Sequence, residues 1–136
     1  MKRVLAVDDE PGVLQTLSEA LTAKGYEVLT VDRPDDALKL FRGQTFDLVL
    51  LDLQMPGKNG FELYRELASI REVPVLFVSG YSRLFSPTSP GFADLWTGQF
   101  SLGRTDILYK PFRLSSLVEK VEALIGSGEV TADGIR

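Results

Sequence analysis

Short apolar runs alternate along the chain with segments whose apolar residues recur at helical spacing. Val4-Leu5-Ala6-Val7 is apolar without interruption, as expected of a strand buried on both faces. From Gly12 to Lys24, Val13, Leu14, Leu17, Ala20 and Leu21 fall on one helical stripe, and Gly25 is suited to stop it. Tyr26 to Val31 reads as a second strand. Pro34 then opens a helix carrying Ala37, Leu38 and Phe41. Phe46 to Leu51 is the clearest strand, followed by the turn-rich Gln54 to Gly60 and a helix from Phe61 to Ile70. Val73 to Val78 predicts a fourth strand and Ile107-Leu108-Tyr109 a short fifth. Leu114, Leu117, Val118, Val121, Leu124 and Ile125 line a last helix, which Gly126 stops.

Strands alternating with helices predict right-handed crossovers, and so an α/β fold: a flavodoxin-like three-layer sandwich with a five-stranded parallel sheet in the order 2-1-3-4-5. The stretch from Ser82 to Thr105 breaks the rhythm. Pro87, Pro90, Gly91 and Gly98 interrupt it, which predicts an irregular or shortened helix between strands 4 and 5. It reads equally well as a surface excursion with its aromatics packed down and as a partner-binding loop. The expected division is a domain over 1–126 and a flexible tail or linker over 127–136.

Composition narrows the chemistry. With 136 residues the chain fits one domain, and 44% hydrophobic residues suffice for a core. Cysteine and histidine are both absent, which excludes disulfides, thiolate or imidazole metal ligands and His-based catalysis. A net charge of -4 carries no nucleic-acid footprint. The start reaches Asp8 and Asp9 too soon for a signal peptide, and no run is long enough to span a membrane, so the expected setting is cytoplasmic.

What remains is carboxylates, hydroxyls and lysine, and the predicted topology gathers them. Strand 1 ends in Asp8-Asp9-Glu10, strand 3 in Asp52, strand 4 in Ser79 and strand 5 in Lys110. Ligands of such sheets bind outside the carboxyl ends of the strands, at the switch between strands 1 and 3. Clustered carboxylates there call for raised pKa values or a cation, and Mg²⁺ suits oxygen donors of this kind. Beside them, the Ser79 hydroxyl and the Lys110 ammonium describe a place for phosphoryl oxygens. Asp52, at the sheet's centre, is the natural nucleophile. Each residue alone has an ordinary explanation, such as a helix cap, a turn serine or a solvated lysine. Their joint position at four strand ends favours function.

At these positions the chain resembles the receiver domains of two-component signalling, over about residues 2 to 126. Val7-Asp8-Asp9-Glu10 resembles the acidic pair, Asp47 to Gly60 the phosphoacceptor strand and loop, Pro74 to Ser79 the strand ending in a switch hydroxyl, and Lys110-Pro111-Phe112 the lysine with its cis-proline turn. The resemblance implies a phosphoacceptor rather than an enzyme. Asp52 would take a phosphoryl group from a histidine kinase or histidine phosphotransfer protein and so control an output domain or effector. Asp9 and Asp52 would bind Mg²⁺ directly, Asp8 largely through water and Gln54 through its backbone carbonyl. Ser79 and Lys110 would hold phosphoryl oxygens. Ile107 stands where the family usually has an aromatic switch residue. With Gly80-Tyr81-Ser82-Arg83, this resembles the receivers attached to hybrid histidine kinases. Tyr109 is expected on the strand face opposite Ser79's neighbour, and Tyr81 is a candidate shield for the phosphoryl group. An aspartyl phosphatase would usually place a second acid where Gln54 stands, and a pseudo-receiver would lack part of the set. A flavin carrier would not line its phosphate site with acids.

Overall fold

The computed structural model describes residues 1–53, 60–80 and 105–126. In order they form β1 (Arg3–Val7), α1 (Pro11–Thr22), β2 (Glu27–Val31), α2 (Pro34–Gly43), β3 (Leu48–Asp52), α3 (Gly60–Ile70), β4 (Val75–Ser79), β5 (Thr105–Tyr109) and α4 (Leu114–Ile125). The strands form one parallel sheet ordered β2-β1-β3-β4-β5, as the alternation of patterns predicts. The expected irregular segment from Ser82, the tail after Gly126, Gln54 and Tyr81 all lie outside the described residues. Thr105, expected within that segment, instead opens β5 by pairing with Val75, so the strand is longer than its apolar run.

The pleat divides the core in two. Leu5, Val7, Val49, Leu51, Val75, Phe77 and Ile107 face one way, against Ala37, Leu38 and Phe41 of α2 and Leu63 and Leu67 of α3. Val4, Ala6, Leu48, Leu50, Leu76, Val78 and Leu108 face the other, against Leu14, Leu17 and Leu21 of α1 and Leu117 and Val121 of α4. This two-sided burial explains the uninterrupted apolar runs of β1, β3 and β4. β2 is an edge strand and is correspondingly more exposed.

Both positive-φ glycines among the described residues lie where a helix stops: Gly25 (φ 94°) after α1 and Gly126 (φ 80°) after α4. The end of α4 is held to the amino edge of the sheet. The buried Tyr26 hydroxyl donates to the Gly126 carbonyl at 2.6 Å, and the Lys2 ammonium donates to the Ile125 carbonyl. The cation satisfies an orphan carbonyl at the negative end of the helix dipole. The other end of α4 follows β5 through the Lys110–Pro111 bond, which is cis as the resemblance implied.

Candidate functional site

Side chains at the carboxyl edge inherit their directions from the pleat. Asp52 is the last residue of β3 and pairs with Val78, in the row that faces α1 and α4. Asp8 follows Val7, so its place is in that row too, and its N–H donates to the Val31 carbonyl at 3.2 Å, one step beyond the β1–β2 ladder. Both carboxyl groups are buried, Asp8 at 1% exposure and Asp52 at 3%. Lys110 lies two residues past Leu108 of the same row. Its N–H donates to the Ser79 carbonyl at 2.8 Å, which extends the β4–β5 ladder and fixes where the lysine leaves the sheet.

The ammonium of Lys110 then reaches across the crevice. It donates to Asp8 Oδ2 and to Glu10 Oε1, each at 3.0 Å, and stands 4.0 Å from Asp52 Oδ1. The second oxygen of Asp8 accepts the Glu10 N–H at 2.9 Å. One cation therefore serves three carboxyl groups. Burial is the main reason that Asp8 holds its proton above the ordinary carboxylate value; the Glu10 charge adds to this, while the Glu10 N–H and Lys110 oppose it. For Lys110, burial is the largest single influence and pulls the value down. The bonds to Glu10 and Asp8 and the charges of Asp8 and Asp52 outweigh it and hold the ammonium protonated above its usual range.

A crevice with surplus negative charge and only hard oxygen donors fits a small divalent cation. Carboxylate oxygens of Asp8, Asp9 and Glu10 lie within 4.8 Å of one another; Asp8 is buried and the other two are exposed. Asp52 is tied to this group through Lys110.

Ser79, fully buried, ends β4 in the opposite row, with Val75 and Phe77 on the face of α2 and α3. Its register partner is Tyr109, which therefore shares a face with Ser79 and Ile107. The expectation that Tyr109 lies on the opposite face is corrected by this register. Ile107 is buried in the core.

Two residues gain importance only in three dimensions. Glu10 was legible as a third acid, but its bond to Lys110 spans 100 positions. Gly60, the first residue of α3, donates its N–H to the Leu53 carbonyl at 3.0 Å. A Cβ there would stand 2.6 Å from the Asp52 carbonyl oxygen and 2.7 Å from Leu53 Cα. In sequence it reads only as the end of a turn.

A parallel α/β sheet in the order 2-1-3-4-5, whose carboxyl edge joins buried carboxylates to one lysine, defines a flavodoxin-like class of α/β protein. Comparison with known proteins makes this specific. Residues 4–122 match the model of the response regulator receiver domain, and the chain belongs to that family. It is 30% identical over 124 residues to "Probable transcriptional regulator ycf27" of Porphyra purpurea, covering 91% of this chain and 47% of that one. The chain thus spans about half the length of the curated relatives it matches. Among solved structures, the response regulator TrrA of Thermotoga maritima, in complex with Mg(2+)-BeF, is 34% identical with a TM-score of 0.76, covering 91% of this chain and 99% of that one. The receiver domain of the hybrid histidine kinase CckA is 29% identical with a TM-score of 0.70, covering 90% and 98%. This likeness supports the resemblance to hybrid-kinase receivers. Among the described residues, no helix is long and apolar enough to cross a membrane.

Proposed function

We propose that this receiver domain, taken as residues 1–126, accepts a phosphoryl group on Asp52 and so serves as the switch of a two-component relay. The observation that carries the reading is the position of Lys110 Nζ, 3.0 Å from Asp8 and 4.0 Å from Asp52, with the three residues delivered by three different strands. The donor is a protein phosphohistidine, on a histidine kinase or a phosphotransfer protein. A carboxylate oxygen of Asp52 forms a bond to phosphorus as the bond from phosphorus to the imidazole nitrogen breaks. The imidazole leaves with that electron pair.

Asp8, Asp9 and Asp52 would hold Mg²⁺, with the Gln54 carbonyl completing the protein's share. When bound, the ion neutralises charge on the transferring phosphoryl oxygens. The chain's own residues do the rest. Lys110 places a positive charge beside Asp52, Ser79 offers a hydroxyl from the neighbouring strand, and the strand ends hold these groups in place before any donor arrives. The modification then biases a conformational equilibrium that an output domain or effector reads. The set is arranged to accept and hold a phosphoryl group rather than to turn over a substrate.

The test is incubation with acetyl phosphate, with and without Mg²⁺, followed by intact mass measurement beside Asp52→Asn. A Mg²⁺-dependent gain of one phosphoryl group in the wild type alone supports the reading. A gain that persists in the variant would move the acceptor elsewhere.

A further inference from the structure

Glu10 stands at the N-cap of α1, yet its side chain makes no capping bond. A carboxylate at that place has the helix's own free N–H groups and positive dipole end within reach. This one turns instead to Lys110, at 3.0 Å, although 62% of its side chain is exposed to water. Lys110 is thereby held by two carboxylates on the β1 side of the crevice, and stands 1 Å farther from Asp52 than from either of them (4.0 Å against 3.0 Å).

We propose that Glu10 is a positioning residue that holds the Lys110 ammonium away from Asp52 in the resting protein and competes with the incoming phosphoryl group for it. The inference rests on the phosphoacceptor reading of Asp52 and adds a residue to it. A cation at Asp8 and Asp9 would compete with Lys110 for the Asp8 carboxyl group, directly or through a bound water. Glu10, largely exposed, is the remaining contact that the ammonium must leave. It keeps its bond to Lys110 until a group with more negative charge, seated on Asp52, draws the ammonium across. Glu10 therefore sets part of the cost of phosphorylation, and removing its charge should ease the transfer of Lys110.

The experiment compares wild type with Glu10→Gln. Two affinities are measured separately: Mg²⁺ alone, and beryllium fluoride, a non-covalent phosphoryl mimic, at saturating Mg²⁺. Binding is followed through the backbone amide signals of Ser79 and Lys110. The glutamine keeps the length of the side chain and loses its charge. Expected is a beryllium fluoride affinity roughly two- to fivefold tighter in the variant, the range for loss of one largely exposed ion pair, with a smaller change in Mg²⁺ affinity, in the opposite direction. Added salt screens that pair in the wild type, so the difference between the two proteins should shrink as NaCl rises. A purely structural role for Glu10 would give no such convergence. Equal or weaker beryllium fluoride binding by Glu10→Gln overturns the proposal. So does a main effect on Mg²⁺ affinity, which would make Glu10 a metal ligand. Equal binding would leave Asp52 as acceptor intact, whereas a wild type that binds neither probe overturns both readings.

Discussion

Replacing Gly60 by alanine should damage the fold and the site together. The added Cβ would meet the Asp52 carbonyl oxygen at 2.6 Å, Leu53 Cα at 2.7 Å and Leu53 Cδ2 at 2.9 Å. Non-bonded carbon atoms rest at about 3.5–4.0 Å, so a retreat of about 1 Å is required. The first two of these atoms are backbone, and no rotamer change relieves them. Either α3 withdraws, stretching the 3.0 Å bond from Gly60 N–H to the Leu53 carbonyl, or the end of β3 shifts and takes Asp52 with it. Overpacking of this kind costs about 1–3 kcal/mol, which lowers the unfolding midpoint of a domain this size by roughly 3–10 °C. The assay is thermal unfolding by circular dichroism, paired with the initial rate of phosphorylation by acetyl phosphate. The rate should fall as well, because the displaced backbone belongs to the proposed acceptor, Asp52. Gly12→Ala serves as control. A Cβ there meets nothing within 4 Å, and alanine in that helix should stabilise by up to about 1 kcal/mol. A Gly60→Ala protein that melts within about 2 °C of wild type would refute the close-approach reasoning.

Three further outcomes follow from the same geometry. Lys110→Met removes the cation shared by Asp8, Glu10 and Asp52 and should cost about 2–4 kcal/mol by urea unfolding at neutral pH. The loss should be smaller in acid, where Asp8, whose pKa burial raises, takes up a proton, and an equal loss at neutral and acidic pH would refute the account. Asp8 has its pKa raised above 3.8 in the folded protein, so its contribution to stability is full below that value and is lost as pH rises through the raised pKa. Metal-free Asp8→Asn should therefore be more stable than wild type at neutral pH and lose that advantage in acid; greater stability of the wild type at neutral pH would contradict this. Tyr26→Phe removes the bond to the Gly126 carbonyl and should cost about 1 kcal/mol while leaving phosphorylation unchanged, since Tyr26 lies at the other edge of the sheet; hydrogen exchange at the end of α4 reads the loss directly.

The architecture was readable because strands buried on both faces show it in sequence: β1, β3 and β4 are solid apolar runs. Once the order of the strands is inferred, Asp8, Asp52, Ser79 and Lys110 can only fall at one edge, so the site could be assembled from residues far apart. What stayed hidden depends on distance or register. Thr105 and Asp106 are polar members of β5, and no pattern signals a strand that begins with them. The neighbourhood of Tyr109 turns on a one-residue choice of pairing, and a slip of one residue moves a side chain to the other face. Glu10 looked like one more acid until its ion pair with Lys110 was seen. Gly60 looked like a turn glycine, because the near contact belongs to the backbone of Asp52 and Leu53 and leaves no trace in their side-chain identities.

The two halves of the core have no residue in common. Among the described residues, the backbone of the five strands lies between them. Asp52 belongs to the row on the side of α1 and α4, Ser79 to the row on the side of α2 and α3. A phosphoryl group gripped by both would act as a rivet driven through the rim of the sheet, joining two compartments that are otherwise packed independently. Setting it would tighten both sides at once, and its hydrolysis would let them part. One small group at one edge could in this way be felt by all four described helices, without any single side chain having to carry the message.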